Sequence, residues 1–404
     1  MRLPGDRLGG PYAEACVLGD IDLVTPLGRA GVTCVVSVEP GETARYSRYV
    51  TGTFDALDMW RQQDAMTDQL VTWAREQPDR PALYYQTDGA LLAVSRCREQ
   101  LSSEFRFVLP PHDLVEDTVD KARFAELATA LGLPAPPARV LRWRGEPAPA
   151  YELRFPLVLK PLTRLGYPPL QTDLGMRGKA VMAGSPRDLA TLWPSLQAAQ
   201  VDVLAQELVY GLESAIESYH SYVDAGGETV AEFTGVKVRT LPPEFGHSTA
   251  VEISAAPDVL AAGRKAAGRL GVRGVVKIDY KRDGDGRLWL LEVNPRFTLW
   301  HHLAAAAGLN VPAIVHADLT GRPRPAVRRP RVGARWCDVL EDRRAAAEVG
   351  MGFAPWLLSA LRCEARSGAN LDDPMPFLRG ALWPTLLSRA GRLRRSRRAA
   401  AGDG

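Results

Sequence analysis

The stretch "VVKIDYKRDGDGRLWLLEVNP", residues 275–295, holds the densest set of chemically useful side chains in the 404-residue chain. Read as one hairpin, residues two apart share a face, so Lys277 lies beside Asp279 and Glu292 beside Asn294. Trp289, Leu291 and Val293 then point the other way, into a core. A two-residue turn at Asp285-Gly286 sets Asp279 directly opposite Glu292; a turn at Asp283-Gly284 shifts the register, and the residues alone leave both open. Two carboxylates opposed across a ladder repel each other, so neutralising either should slightly stabilise the ion-free protein. A divalent cation between them removes that penalty. Oxygen-only ligands from Asp279, Glu292 and the Asn294 carbonyl suit Mg²⁺ or Mn²⁺ and not zinc. An ion held by so few carboxylates shares its remaining positions with phosphate and water. Pro295 ends the ladder and sends Arg296 out of the sheet beside the ion. The bland alternative is an exposed hairpin whose acids pair with Arg287 or Lys281.

Two further stretches supply cations. Lys160 ends the apolar strand "FPLVLKP", where its ammonium can reach a phosphate as a point charge. Lys237 and Arg239 share one face of "GVKVRT", ahead of a Pro-Pro stop and a glycine loop, an arrangement suited to a polyphosphate or a carboxylate.

Around these groups the chain falls into three parts. Residues 1–115 read as alternating strand and helix: strands at "ACVLGD", "VTCVVSV", "RPALYYQTD" and "FRFVLP", with helices at "IDLVTPLGRAG" and around Leu91–Leu101. That alternation predicts a small parallel α/β unit. It lacks a Gly-x-Gly-x-x-Gly turn and so has no nucleotide site of its own. Residues 116–320 read as α+β. They open with one helix over "DTVDKARFAELATALG", capped by Asp117 or Thr118 and ended by Gly132. The strands "FPLVLKP", "DVLAQELV", "TVAEFTGVKVRT", "VVKIDY" and "LWLLEVNP" follow. Residues 321–404 read as a helical extension, whose Trp336, Trp356 and Trp383 either cap the active site or mediate self-association as a homodimer. Its Arg-dense end, "RAGRLRRSRRAAAGDG", reads as a disordered solvated tail.

A net charge of +3 is too small to imply a nucleic-acid partner. Five cysteines without metal or disulfide spacing suit a reducing compartment. With no apolar run long enough to span a bilayer, the expectation is a cytoplasmic protein without a membrane partner.

The motif "IDY…LEVNPR", with Glu292 thirteen residues after Asp279 and Asn294 two further on, resembles the magnesium-binding core of the ATP-grasp superfamily. The likeness extends in order through "DKARFAELATALGLPAP", "FPLVLKP", "QELVYGLES" and "GVKVRTLPP", over roughly residues 10–320. Within the superfamily the chain most resembles the carboxylate–amine ligases that include D-aspartate ligase-like proteins. The resemblance implies an ATP-grasp fold preceded by a parallel α/β domain, with ATP and Mg²⁺ (or Mn²⁺) as cofactors and a small carboxylate and an amine as substrates.

It also implies roles. Lys160 and Lys121 would contact the nucleotide phosphates. Glu207 and the backbone of Leu208 and Val209, with Gln206 beside them, would form the hinge near 206–211 that reads the adenine edge. Glu213 would bond the ribose hydroxyls, with Glu217 near enough to compete. Lys237 would reach the γ-phosphate, and Arg296, with Lys237 and Arg239, would serve the reacting groups. One departure stands out: the family's Gly- and Ser-rich loop over the phosphates is replaced by "LTRLGYPPLQTDLGMRG", where Arg164, Arg177 and Lys179 could substitute by charge. His301 and His302 read equally as acceptor-site groups or helix-surface residues. The reaction implied is amide formation through an acyl phosphate. A kinase of the same fold would keep these residues and make a phosphoester, and a nucleotide-binding module would catalyse nothing.

Overall fold

The computed structural model describes residues 12–39, 41–145 and 148–382; the expected tail and Trp383 lie outside them. Four strands, β1 (Ala15–Leu18), β2 (Cys34–Val38), β3 (Val50–Asp55) and β4 (Ala82–Tyr85), form a parallel sheet in the order β3-β2-β1-β4. Helices α1 (Ile21–Arg29), α2 (Gln63–Arg75), α3 (Asp88–Arg96) and α4 (Arg98–Glu104) connect and follow these strands. The parallel unit is therefore as expected, except at "FRFVLP". That stretch makes a single bridge, Arg106 to Ala82, and no strand.

The expected long helix is two. Helix α5 (His112–Val119) ends where the Asp120 carboxylate accepts from the amides of Ala122 and Arg123, capping α6 (Lys121–Ala130). Asp120, in extended backbone, is thus the cap in place of Asp117 or Thr118, and it breaks the run. Asp117 pairs with Arg123 instead. Lys121 becomes the first residue of α6.

A small antiparallel sheet follows, in the order β5-β8-β6-β7: β5 (Ala138–Leu141), β6 (Leu157–Pro161), β7 (Val181–Ala183) and β8 (Val203–Glu207). With α7 (Tyr167–Leu174) and α8 (Pro186–Ala199) it encloses its own core of Leu157, Leu159, Leu189, Trp193 and Leu196.

A seven-stranded sheet then assembles in the order β13-β12-β9-β10-β11-β14-β15. Its strands are β9 (Ile216–Val223), β10 (Thr229–Leu241), β11 (His247–Ser254), β12 (Gly274–Arg282), β13 (Leu288–Asn294), β14 (Arg335–Cys337) and β15 (Ala365–Arg366). Helix α9 (Pro257–Leu270) covers one face. The other face shares one continuous core with the N-terminal sheet and with α10 (Trp300–Ala306) and α11 (Val311–Thr320), joining Leu23, Val36 and Tyr84 to Tyr222, Phe233 and Trp300. The parallel unit and the large sheet are thus fused, whereas the small sheet has a separate core. Helices α12 (Val339–Glu348) and α13 (Phe353–Leu361) make up the expected extension, which also adds strands β14 and β15 to the large sheet. Among the described residues no single helix is long and apolar enough to cross a membrane.

Candidate active site

Between the small and large sheets lies a cavity of about 1030 Å³. Strand β12, second from the edge of the large sheet, is regular through the site, so Lys277, Asp279 and Lys281 face the same side. Its hairpin reaches the expected pairing by an unexpected route. The turn has three residues: Asp283 and Arg287 close it, and Gly286 adopts a positive φ of 81°. That places Tyr280 opposite Leu290, one residue off register, and a bulge at Leu291 restores Asp279 opposite Glu292 and Lys277 opposite Asn294. The bulge also corrects the expected core face. Leu290 and Val293 are buried, while Leu291 lines the cavity and Trp289 caps the turn by donating to Asp283.

Asp279 is nearly fully buried; one carboxylate oxygen accepts from Ser218 at 2.5 Å and the other from Lys277 at 2.6 Å. Burial by itself would raise the Glu292 carboxyl, but Lys179, Lys277, Lys121 and Arg296 outweigh it and hold it well below the usual carboxylate range. Glu292 is thus ionised, and no hydrogen bond to it is present among the described residues. Asn294 accepts from Arg296 at 3.3 Å. Arg296 also binds Asp88 at 2.5 Å and the carbonyl of Gln86 at 2.9 Å, anchoring it to the N-terminal sheet.

The small sheet and its loops bring the opposing cations. Lys160 donates to Gln206 across the β6–β8 pair at 2.7 Å. Burial and the neighbouring Lys121 push Lys160 down to about 8. Lys179 opens into the cavity, and the surrounding walls, by stripping water from it, take it to about 8 as well. Its backbone amide donates to Phe245 at 2.8 Å, tying its loop to the turn after β10. The segment expected to cover the phosphates is therefore helix α7 plus this loop: Arg164 and Lys179 line the cavity, while Arg177 leaves it to pair with Glu348 at 2.5 Å.

The hinge residues Gln206, Glu207, Leu208 and Val209 all line the cavity. The Glu207 carboxylate turns to the amide and guanidinium of Arg154, at 3.0 and 3.1 Å, and the Leu208 amide donates to Pro156 at 3.0 Å. Of that backbone pair, Val209 is left to donate. Glu213 lines the cavity, whereas Glu217 pairs with Arg282 at 2.8 Å outside it.

Lys237 enters the cavity but Arg239 does not, which corrects the expected shared face. A register shift between Lys237 and Arg239 makes Val238 a bulge and turns Arg239 to the opposite side. There it grips the fully buried Asp342 with two bonds of 2.7 and 2.8 Å. His301 and His302 are neither surface nor acceptor-site groups. Both are buried, His301 pushed down to about 4 by burial and His302 bonded to Asp22 at 2.6 Å. Lys277 and Lys281 were missed as site residues, although their two-residue spacing from Asp279 was the signal.

Residues 227–340 match a family described as ATP-grasp in the biosynthetic pathway with Ter operon. The chain is 28% identical over 209 residues to a D-alanine–D-alanine ligase of Stutzerimonas stutzeri (strain A1501), covering 49% of this chain and 63% of that one. It is 26% identical over 220 residues to the corresponding ligase of Pseudomonas fluorescens (strain Pf0-1), covering 50% and 62%. The chain thus spans less than two thirds of the length of these relatives. Among solved structures it superposes on an ADP complex of N5-carboxyaminoimidazole ribonucleotide synthetase with a TM-score of 0.64 at 15% identity, covering 85% and 86% of the two chains. On an L-amino acid ligase from Bacillus licheniformis the TM-score is 0.58 at 16% identity, covering 80% and 78%. The family match is confined to residues 227–340, the curated relatives cover about half of the chain, and the solved structures share its fold.

Proposed function

We propose that the chain is an ATP-dependent carboxylate–amine ligase working through an acyl phosphate. The observation that carries this reading is one cavity in which Lys121, Lys160, Lys179 and Lys237 converge on the ionised Glu292 beside Asp279 and Asn294. The donor set is all oxygen, and Glu292 is charged and free of hydrogen bonds among the described residues, so these three residues fit Mg²⁺ or Mn²⁺. Bound there, the ion would neutralise phosphate charge and hold the polyphosphate in line.

The remaining roles belong to the chain. The 206–209 hinge holds the base and Glu213 the ribose. Lys160, Lys179 and Lys121 surround the phosphates, and Lys237 stabilises charge on the γ-phosphoryl as it transfers. A substrate carboxylate oxygen attacks that phosphorus and ADP leaves. The amine then attacks the acyl carbon, loses its proton, and phosphate departs with the carbon–oxygen bond. Arg296, fixed by Asp88 and Gln86, faces this carbon's developing oxyanion. The anchored guanidinium loses little entropy in doing so. The likeness to D-alanine–D-alanine and L-amino acid ligases supports amino acids as the first substrates to try.

Hydroxylamine provides the test. With Mg-ATP, hydroxylamine and a panel of amino acids and small carboxylates, a ligase gives ADP and a hydroxamate for at least one acid. ADP formed only with a hydroxylated acceptor, as a stable phosphoester, would replace this reading by a kinase. ATP binding with neither product would leave a binding module.

A further inference from the structure

The stretch "VGMGFAPWLLSAL", residues 349–361, holds no charged residue and forms the turn after α12 together with α13. Buried Trp356 and Ala360 hold the helix down, Trp356 by donating to Asp342 at 3.0 Å. The other side is bare. Val349, Phe353, Leu358 and Leu361 are each more than half exposed, with Leu357 beside them. A spacing of four sets Phe353, Leu357 and Leu361 in one stripe. The patch reaches roughly 500 Å², near the most that a monomer leaves open. No residue of α13 lines the cavity, so this face has no part in the scheme above. Its rim is cationic. Arg343 lies 5.6 Å from the ring centroids of both Phe353 and Trp356, with one terminal nitrogen buried and unpartnered. Arg362 is exposed just past the helix, and Arg366 donates to the carbonyls of Ala360 and Leu361 at 2.9 and 2.6 Å. None of these three arginines has a carboxylate partner among the described residues. The neighbouring glutamates are already paired: Glu341 with Arg344, Glu348 with Arg177 and Glu364 with Arg331.

That composition selects the occupant. A second copy placed face to face would bring arginine rim against arginine rim, with no unpaired glutamate of this rim to meet either. A folded protein partner takes about one hydrogen bond per 100–200 Å². The stretch offers one side-chain hydroxyl, Ser359, and it is turned to Arg239. An anionic lipid surface asks for neither: it takes apolar side chains below the headgroups and arginines at the level of the phosphates. We infer that α13 seats this protein peripherally on an anionic lipid surface. Phe353, Leu357, Leu358 and Leu361 enter below the headgroups while Arg343, Arg362 and Arg366 meet their phosphates. Six further arginines within residues 389–398 supply the second signal that a stable anchor takes. Such docking needs no spanning helix, and it gives the chain a partner that the sequence reading did not foresee.

The test is flotation of the full chain with vesicles of phosphatidylcholine alone and of phosphatidylcholine with about one third phosphatidylglycerol. Wild type should bind the anionic vesicles at least about 10-fold more tightly than the neutral ones, and less as salt rises. Leu358→Glu combined with Leu361→Glu, at exposed positions away from the cavity, should cut that binding at least about 10-fold while the melting temperature stays at the wild-type value. Arg362→Gln should cut it about 5-fold. A wild type that does not float, floats equally with both vesicles, or floats unchanged after both leucines are replaced overturns the proposal. So does a wild type that runs as a dimer, splits on the double substitution and leaves the vesicles alone, since that gives the face to a second copy.

Discussion

Strands β10 and β12 carry the same kind of sequence signal, charged residues two apart, and the structure treats them oppositely. On β12, Lys277, Asp279 and Lys281 stay in phase and all reach the cavity side. On β10, the bulge at Val238 puts Lys237 in the cavity and Arg239 on the far side, against Asp342. Strand periodicity holds where the extra residue of a slipped ladder lies on the partner strand, as Leu291 of β13 does beside β12, and fails where it lies on the strand itself, as Val238 does on β10. The same lysine-and-arginine pair therefore divides, one residue lining the cavity and one holding α12 to the sheet.

The comparison can be pressed hardest at the acids. Glu292→Gln or Asp279→Asn should lower Mg-ATP turnover by on the order of 100- to 1000-fold, because each removes a carboxylate from the proposed ion site. Taken alone, two opposed acids would make Glu292→Gln stabilising. The surrounding lysines reverse that sign. Glu292 lies below its unfolded value of about 4.3, so its charge adds stability in full above that pH, and the gain is lost as pH falls from there through the lower folded value. Glu292→Gln should thus melt below wild type at pH 7, with the gap closing in acid. A variant that keeps wild-type turnover, or melts higher at pH 7, contradicts the arrangement.

Next come the two halves of β10. Lys237→Ala should cut turnover on the order of 100-fold with little change in melting temperature. Arg239→Ala should do the reverse. It strands the Asp342 carboxylate, fully buried, and should cost about 3–5 kcal/mol of stability by denaturant titration. Nucleotide affinity of the surviving folded protein should be unchanged. If Arg239→Ala abolished nucleotide binding while melting normally, the division of labour would be wrong.

A smaller effect concerns pH. Lys160 and Lys179 sit at about 8 against about 10.4 unfolded. Their depressed values mean the ion-free protein gains stability as pH rises from 8 towards 10.4, and loses it again on the way down. Polyphosphate binding wants both lysines charged, so ADP affinity should fall as pH climbs through 8. Lys179→Met should blunt both trends, and titrations indistinguishable from wild type would count against the crowded ammonium.

The sequence carried the acid constellation because the Asp279–Glu292 relation survives two compensating irregularities, the three-residue turn and the Leu291 bulge. It did not carry the fate of Arg239, because a bulge has no residue signature when Val238 looks like any strand valine. Strand β9, "IESYHSYV", escaped notice although it is central. Its Ser218, bonded to Asp279, and its His220, packed on Phe233 and Trp300, are buried polar residues, which blur the binary pattern that marks a strand. Strands β14 and β15 are three and two residues long, and exist only through pairing with the sheet edge. Asp120 was legible as a cap in type but not in position, since Asp117 and Thr118 offered the same chemistry three and two residues earlier.

The central claim is that the cavity moves a phosphoryl group onto a carboxylate. With the acid identified by hydroxamate trapping, both its carboxyl oxygens can be labelled with oxygen-18 and the enzyme run with Mg-ATP and the amine. An acyl phosphate obliges one labelled oxygen to leave with each phosphate, so the released phosphate should carry a single oxygen-18. Phosphate released without label would contradict the account.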